Sequence, residues 1–360
     1  MIFRELNNAK CKTYLLASEG MERAVIIDPL KDRVERYLAV LAYHRLKLDL
    51  IVDTHTHADH RSGAHELSEL TGAPVAMHRR APAPHITMHL EDGQRLIVGD
   101  FELKVMYTPG HTPDSISLYA EDRVFTGDCL LIHGTGRADF AGGDAGAEYD
   151  SITRKLFTLP DSTLVYPAHD YRGHLHSTIG EEKTSNPRVA NRSREAYVEL
   201  MNNLGLPLPE GIQEALQPNQ TEIEAAAIHF PTLAQLNSVR QLSPAEVADR
   251  VNGAAAPLLL DIREPDEYAG ELGHIAGARL VPLRELPDRA GAELAPFKDK
   301  DIVVICRAGV RSVTAAAILT GLGFEKVCSM TGGMLDWDDA RLPVERGASG
   351  ASGQGNRQGS

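Results

Sequence analysis

The feature that most constrains this sequence is a cluster of potential metal ligands that directly follows an apolar run at 48–52. Within six positions the chain presents His55, His57, Asp59 and His60. Imidazole and carboxylate groups together suit zinc or iron, and a loop at the end of a strand can direct several of them at one ion. The segment therefore predicts a β-strand that ends in a metal-binding loop.

Three further candidate ligands follow other apolar runs that predict strands. They are His111, Asp128 and His169, after the runs 103–107, 124–126 and 163–166. Twelve of the fifteen histidines lie between residues 55 and 176, so the imidazoles are concentrated in one half of the chain. An isolated His-x-His pair is more often a polar surface pair, but ligands at successive strand ends favour a metal site.

Length and composition set the broad class of protein. A chain of 360 residues exceeds what one hydrophobic core normally supports, so we expect two domains. With 42% hydrophobic and 24% charged residues, the composition excludes a disordered or fibrous chain. The formal charge of -13 disfavours nucleic acid as a partner, because it repels phosphate. No apolar run approaches the ~20 residues of a membrane span, and no signal peptide is recognised, so the expected location is cytoplasmic.

A change of pattern near residues 230–242 predicts the start of a second domain. Ser243 and Pro244 give a helix N-cap and a proline in the first turn, and strand and helix patterns alternate from there on, as in a parallel α/β sheet. The expected division is a first domain at 1–230, a linker at 231–241, a second domain at 242–345 and a disordered tail at 346–360.

The second domain contains a loop that predicts a reactive cysteine. A strand pattern at 301–305 leads into Cys306, followed by Arg307, Arg311 and an alanine-rich helix. Backbone N–H groups at a helix N-terminus and two cations stabilise a thiolate and hold an anion. The remaining cysteines, Cys11, Cys129 and Cys328, are interpreted as structural.

Over about residues 1–230, the His-x-His-x-Asp-His motif with the later His, Asp and His resembles the metallo-β-lactamase superfamily. This resemblance implies an αββα sandwich with the metal at one edge of the sheets. Persulfide dioxygenases and glyoxalase II hydrolases share the motif. The dioxygenases are favoured by the run 134–144, which is similar to their GxGRxDFxxGD segment, and by the run 167–171. Thr135 departs from that segment, since relatives often carry Cys there.

The resemblance to persulfide dioxygenases implies one iron(II) per chain, bound by His55, His111 and Asp128. Two imidazoles and one carboxylate leave open positions for a persulfide sulfur and dioxygen. The residues expected to orient these ligands are His57, Asp59, His60 and His169. The alternative is a second metal site, in a two-zinc hydrolase of the glyoxalase II kind, because zinc holds hydroxide but does not activate dioxygen.

The same resemblance implies that the substrate is glutathione persulfide, which is oxidised with O2 to sulfite and glutathione. The two carboxylates of this substrate need cationic or hydrogen-bonding partners. Candidates for binding them are Arg137, Tyr171, Lys183 and Arg188. Ordinary solvated charge is the alternative, and it is favoured for the last two.

Residues 242–344 resemble the rhodanese sulfurtransferases, which have a parallel α/β fold. The resemblance rests on the runs 258–268, 273–278, 306–311 and 331–337. Four residues separate Cys306 from Arg311, one fewer than in related phosphatases, and the smaller loop favours a sulfane sulfur over phosphate. The resemblance implies that Cys306 carries sulfur between thiosulfate, glutathione and sulfite as a persulfide. A non-catalytic sulfur-sensing module is the alternative. The sequence is compatible with a homodimer and does not fix the oligomeric state.

Overall fold

The computed structural model describes residues 1–7, 10–139, 142–205, 219, 231–253 and 256–346. By its internal contacts the chain divides into two compact units, the first built mainly from residues before 229 and the second mainly from residues after it. Within the described ranges, no helix is both long and apolar enough to cross a membrane.

The first unit contains two six-stranded sheets. The first sheet has the order β1 (Ile2–Glu5), β2 (Tyr14–Ala17), β3 (Arg23–Ile27), β4 (Lys47–Val52), β5 (Val75–His78) and β6 (Met88–Leu90). The second has the order β12 (Ser177–Thr178), β11 (Leu164–Pro167), β10 (Arg123–Gly127), β9 (Ile116–Ala120), β8 (Phe101–Tyr107) and β7 (Arg95–Val98). The pairs β3–β4 and β10–β11 are parallel, so both strands of each pair end at the same edge.

Apolar side chains at alternate strand positions form the core of this unit. Val25 and Ile27 of β3 belong to one buried cluster with Val52 of β4 and with Leu103 and Val105 of β8. The period of two is that of a strand with one face on the core. Full burial of such side chains stabilises the fold by about 1.5–3 kcal/mol each.

Helices cover the outer faces of the two sheets. They are α1 (Val34–Tyr43), α2 (Ala64–Thr71), α3 (Ala145–Arg154), α4 (Ile179–Ser185) and α5 (Arg194–Asn202). Helix α2 contacts β4 and β5 of the first sheet. On the second sheet, Ile152 of α3 and Ile179 of α4 share a buried cluster with Val124 and Val165. The predicted αββα sandwich is therefore confirmed.

The second unit is built on one parallel sheet. Its strand order is β13 (Arg240–Leu242), β17 (Val327–Met330), β16 (Ile302–Ile305), β14 (Leu258–Asp261) and β15 (Arg279–Leu280). Its helices are α6 (Leu233–Asn237), α7 (Pro244–Val251), α8 (Pro265–Tyr268), α9 (Leu286–Arg289), α10 (Val310–Gly321) and α11 (Gly333–Asp339). Val303 and Val304 of β16 belong to different buried clusters, so both faces of the sheet are covered, as the predicted parallel α/β fold requires.

Several local expectations can be compared with this structure. The Ser243 hydroxyl accepts a hydrogen bond from the amide of Glu246, whose carboxylate accepts one from the Ser243 amide, which confirms the predicted N-cap as a full capping box. The predicted linker 231–241 contains α6 and the first two residues of β13, and Leu236 of α6 is buried. Residues 347–360 of the predicted tail lie outside the described residues. The domain boundaries themselves stay a prediction.

Candidate functional site

Most of the candidate ligands lie just beyond the carboxyl ends of strands. The segment 53–60 follows β4, His111 follows β8, Asp128 follows β10 and His169 follows β11. Side chains at such positions are held by a rigid scaffold while the loop that carries them is free to adapt to a ligand. The sheets thereby bring together residues that lie far apart in the sequence.

His55, His111 and Asp128 form one buried group. The Asp128 Oδ2 atom lies 3.9 Å from His55 Nε2 and 3.7 Å from His111 Nε2. One donor atom from each of the three side chains lies within 4.8 Å of the other two. Two imidazole nitrogens and one carboxylate oxygen at this spacing fit the two-histidine, one-carboxylate set of non-haem iron centres. The predicted ligands are therefore brought together by the fold.

Hydrogen bonds set the histidine tautomers that metal binding requires. His111 Nδ1 lies 2.7 Å from the Arg137 carbonyl oxygen, which can only accept, so Nδ1 carries the proton and Nε2 the lone pair. The Thr54 hydroxyl donates to Asp28 Oδ2 at 2.9 Å and therefore accepts from His55 Nδ1 at 3.0 Å. In both rings the Nε2 lone pair is thus available for a metal.

Burial keeps His55 neutral, as a ligand must be. Burial and the neighbouring imidazole of His57 lower the pKa of His55 to about 3. Burial by itself would raise the pKa of Asp128, but the neighbouring His169, His55 and His111 lower it overall, so this carboxyl is ionised. The group therefore presents a neutral imidazole at His55 and an anionic carboxylate at Asp128.

His169 connects Asp128 to a second group of potential donors. Its Nδ1 lies 2.7 Å from Asp128 Oδ1 and its Nε2 lies 2.8 Å from Asp59 Oδ2. Both nitrogens face carboxylates, so both donate and the ring carries a positive charge. Cys11 and His60 complete this group, in which one donor atom from each of the four residues lies within 4.8 Å of the others.

The position of Cys11 corrects one expectation. The sequence interpretation treats this cysteine as structural, but its Sγ donates to Asp59 Oδ2 at 3.6 Å and the side chain is half-buried. An isolated bridge between Cys11 and His169 brings the thiol there. The interpretation missed this contact because it is set by tertiary pairing, and no nearby residue in the sequence signals it.

Several buried residues that sequence reasoning missed hold the histidine loop in place. Asp28 accepts from the Thr54 amide at 2.7 Å and lies 3.2 Å from His57 Nε2. Asp114 accepts from the Thr56 amide and hydroxyl at 2.9 and 2.7 Å. Asn219 donates to the carbonyl of His57 at 2.9 Å. The strand pattern 24–27 directly before Asp28 is a signal that could have identified this carboxylate; Asn219 has none.

The four predicted glutathione-binding residues have different surroundings. Tyr171 is 63% exposed, and its ring stacks on His169 with centroids 5.9 Å apart, so it borders the second donor group. The Arg137 guanidinium makes two hydrogen bonds to Asp139, at 2.6 and 2.7 Å. Lys183 pairs with Asp161. Arg188 donates to the backbone carbonyls of Thr135 and Gly136 at 2.6 and 3.2 Å.

The loop 134–137 is attached to a buried polar network. The Tyr197 hydroxyl lies 2.9 Å from Thr135 Oγ1 and 2.7 Å from Glu148 Oε2. The Gly136 amide donates to the Asp128 carbonyl at 2.8 Å, and an added Cβ at Gly136 would lie 2.2 Å from that oxygen. The loop thus needs glycine at 136. It also fixes the Arg137 carbonyl, which orients His111.

Cys306 lies where β16 passes into α10. Its Sγ accepts from the Gly309 amide at 3.1 Å and lies 3.5 Å from Ser312 Oγ. The Ser312 hydroxyl donates to the Gly309 carbonyl at 2.8 Å and accepts from Ser329 Oγ at 2.8 Å. Both serines are fully buried. The sulfur is therefore held by a backbone amide and by a hydroxyl pair that sequence reasoning missed.

The two arginines of this loop differ in their contacts. Arg311 makes two hydrogen bonds to the Glu267 carboxylate, at 2.8 and 2.6 Å. Arg307 is exposed. The N-terminus of α11 also supports the loop, since Met334 donates to the Cys306 carbonyl at 2.9 Å. Gly333 has φ 58°, and an added Cβ would lie 2.3 Å from that carbonyl oxygen, so this approach requires glycine.

Two family models match the two parts of the chain. The model for the metallo-beta-lactamase superfamily matches residues 8–169, and the model for a rhodanese-like domain matches residues 243–340. A metallo-beta-lactamase from Staphylococcus aureus shares this fold, with 23% identity, a TM-score of 0.57 and coverage of 92% of this chain and 98% of the other. The class is thus a metallo-β-lactamase domain followed by a rhodanese-like domain.

Two relatives identify the family of the first domain. The human mitochondrial persulfide dioxygenase ETHE1 is 41% identical over 209 residues, which cover 58% of this chain and 82% of the human protein. The crystal structure of ETHE1 from Myxococcus xanthus is 46% identical with a TM-score of 0.60, covering 61% of this chain and 98% of the other. The chain therefore belongs to the persulfide dioxygenase family of the metallo-β-lactamase superfamily, extended by a rhodanese-like domain.

Proposed function

We propose that the first domain oxidises glutathione persulfide with dioxygen, using one iron(II) per chain held by His55, His111 and Asp128. One persulfide, one dioxygen and one water then give one glutathione, one sulfite and two protons. The observation that carries the proposal is the buried group of two imidazoles and one carboxylate, with donor atoms within 4.8 Å of one another. Iron(II) bound there would supply redox chemistry and open coordination positions.

The residues around the ligands keep them in place for this reaction. Thr54 and the Arg137 carbonyl fix the two imidazole rings, and His169 holds one oxygen of Asp128 so that the other faces the histidines. Asp59 in turn accepts a hydrogen bond from His169. The His57 ring lies next to His55, and the His60 ring lies next to His169. Preorganised ligands lose little freedom on binding, which favours both metal affinity and a fixed substrate position.

Binding of the peptide part of the substrate is assigned mainly to Tyr171 and Arg137. Tyr171 is exposed beside His169 and can contact the peptide part of the substrate. The Arg137 backbone lies against His111, so its side chain starts close to the metal group. Arg188 and Lys183 contribute less directly, because their charged ends are engaged by loop carbonyls and by Asp161.

In the second domain, we propose that Cys306 transfers sulfur between thiosulfate, glutathione and sulfite. Its thiolate attacks the outer sulfur of thiosulfate, sulfite leaves, and a cysteine persulfide remains. Attack of glutathione on that outer sulfur restores the thiolate and gives glutathione persulfide. The Gly309 amide, 3.1 Å from Sγ, supports the negative sulfur. Glutathione persulfide is also the substrate proposed for the first domain. In the reverse direction, sulfur transfer from glutathione persulfide to sulfite would consume sulfite and give thiosulfate.

Metal analysis combined with an oxygen electrode tests the first activity. The expected result is one iron per chain and one O2 consumed per glutathione persulfide, both lost in His111→Ala and retained in His89→Ala, a variant of an exposed histidine. Two zinc ions per chain without oxygen uptake would instead identify a two-zinc thioester hydrolase. The second donor group, Cys11 with Asp59, His60 and His169, is the observation that favours this alternative.

A sulfurtransfer assay with thiosulfate and glutathione tests the second activity. Cys306→Ser should abolish it, whereas Arg341→Gln, which alters an exposed cation of the same domain, should not. Equal activity in Cys306→Ser and the unaltered chain would indicate a non-catalytic sulfur-sensing module.

A further inference from the structure

A cleft lies in the rhodanese-like domain, away from Cys306. It has a volume of about 560 Å³ and opens at the amino-terminal edge of the parallel sheet, where β13, β16 and β17 begin. Cys306 follows the carboxyl end of β16, so the cleft lies at the opposite edge of the sheet. Its volume falls within the roughly 300–1,000 Å³ of small-molecule pockets.

Three cations line this cleft: Arg240, Arg250 and Lys326. In the part of the chain that the structure describes, no ion pair joins any of them to a carboxylate. Arg250 lies in the last turn of α7, where a cation complements the helix dipole. That role does not account for Arg240, which begins β13, or for Lys326, which directly precedes β17.

Two carboxylates, Asp301 and Glu325, also line the cleft and are exposed. Three cations and two anions leave one net positive charge in a chain whose formal charge is -13. A simple inorganic anion would use the cations and leave the carboxylates without partners. A ligand with carboxylates and an ammonium group satisfies both sets, because each charge then meets its opposite.

Cys328 forms part of the cleft wall and reports on its occupancy. It is 8% exposed, and burial raises the pKa of its thiol, while Arg250 and Arg240 act in the opposite direction. A neutral, nearly buried thiol reacts slowly, so it is a marker of access here and is not assigned a chemical role.

We propose that this cleft is a binding site for a small zwitterionic ligand with two carboxylates and one ammonium group, of about tripeptide size. Arg240, Arg250 and Lys326 hold the carboxylates, and Asp301 and Glu325 hold the ammonium group. The proposal does not depend on the reaction at either proposed catalytic site.

Titration calorimetry of the full-length, metal-loaded protein with S-methylglutathione tests the proposal. This probe carries the required charges but no thiol. Because charge-assisted hydrogen bonds are lost, binding at the cleft should be at least tenfold weaker in Arg240→Gln/Arg250→Gln. It should be unchanged in Arg341→Gln, an exposed cation of the same domain outside the cleft. If the double variant does not fold, Lys326→Gln provides the same comparison.

Alkylation of Cys328, followed by peptide mass spectrometry, separates this cleft from the metal site. S-methylglutathione should slow the alkylation, and its diethyl ester should not, because the ester lacks the carboxylates. Three results would overturn the proposal: equal binding and protection in the double variant and the unaltered chain, equal protection by the ester, or equal protection by sulfate at the same concentration.

Discussion

At the scale of single residues, Thr54 has the most specific position. Its hydroxyl donates to Asp28 and accepts from His55 Nδ1, so one small side chain links a buried carboxylate to a proposed metal ligand. The arrangement resembles the carboxylate–histidine pairs that orient metal ligands elsewhere, with a hydroxyl inserted between the two groups. The link fixes the tautomer of His55 without placing a second negative charge against the ring.

Replacement of Thr54 tests this link. Thr54→Val keeps the shape but removes the acceptor of the His55 proton, so metal affinity should fall by about 10–100-fold, the usual effect of losing a partner of a metal ligand. Thr54→Ser keeps the hydroxyl and should bind metal nearly as well as the unaltered chain. The measurement is competitive metal titration with a chelator. Equal affinities in the valine and serine variants would show that the hydroxyl does not orient the ring.

Ser312 offers a second prediction at this scale. Ser312→Ala removes the hydroxyl 3.5 Å from Cys306 Sγ and leaves Ser329 without its acceptor. Ser312 also donates to the carbonyl of Gly309, whose amide donates to the sulfur. Because a buried hydrogen bond is worth about 0.5–1.5 kcal/mol, loss of this support should lower sulfurtransfer kcat by about three- to tenfold. Oxygen uptake by the first domain serves as the internal control and should not change. An unaltered kcat would mean that the Gly309 amide alone positions the sulfur.

The sequence could predict the residues with local signals but not those brought in by tertiary contacts. His55, His111 and Asp128 were recognisable because each follows a strand pattern, and Cys306 because it precedes a helix start. Their roles as metal ligands and nucleophile stay predictions. Cys11 and Ser329 carry no local signal, because cross-strand pairing and neighbouring strands of a parallel sheet bring them to their sites.

At the scale of elements, helices α3 and α5 support the group of His55, His111 and Asp128 through the loop 134–137. Glu148 of α3 and Tyr197 of α5 are fully buried and meet at 2.7 Å, and Tyr197 also contacts Thr135 of the loop that orients His111. Burial raises the pKa of Glu148 well above its ordinary 4.5, only partly offset by the Tyr197 hydrogen bond and by Arg188. Burial therefore favours the protonated form of this carboxyl in the folded chain.

This network makes the stability of the first domain depend on pH. Above about pH 4.5 the unfolded chain releases the Glu148 proton while the folded chain keeps it, so this residue lowers stability as pH rises towards its folded pKa. Glu148→Gln keeps an acceptor for Tyr197 and cannot ionise. Calorimetry between pH 5 and pH 9 should show a flatter decline in melting temperature for this variant; an identical slope would contradict the assignment.

A matched variant shows whether the hydrogen bond itself matters. Tyr197→Phe leaves the buried Glu148 carboxyl and the Thr135 hydroxyl without this partner, so it should destabilise the domain by about 1–3 kcal/mol at every pH. Sequence reasoning did not find the contact of Tyr197 with Glu148, since helix-to-helix packing decides which polar side chains meet.

At the scale of the whole molecule, the two units have separate cores and separate candidate sites. The strands of the first unit bury one cluster between their sheets, whereas the second unit buries both faces of one parallel sheet. This difference was predictable from the sequence, since one part carries ligands after short strands and the other alternates strand and helix patterns. The two proposed activities share persulfide and sulfite, which gives a chemical reason for their occurrence in one chain.

Separate cores lead to a prediction about the proposed activities. His111→Ala should abolish iron binding and oxygen uptake but leave thiosulfate-to-glutathione sulfurtransfer within about twofold, because the two proposed sites are built from different residues in units with separate cores, and mutations at independent sites act nearly additively. Cys306→Ser should abolish sulfurtransfer but leave iron binding and oxygen uptake nearly unchanged when glutathione persulfide is supplied directly. With thiosulfate and glutathione as the only sulfur sources, however, either variant should stop oxygen uptake, since the persulfide must first be made at Cys306 and then oxidised at the iron. Oxygen uptake by Cys306→Ser under those conditions would show that the two reactions are not consecutive.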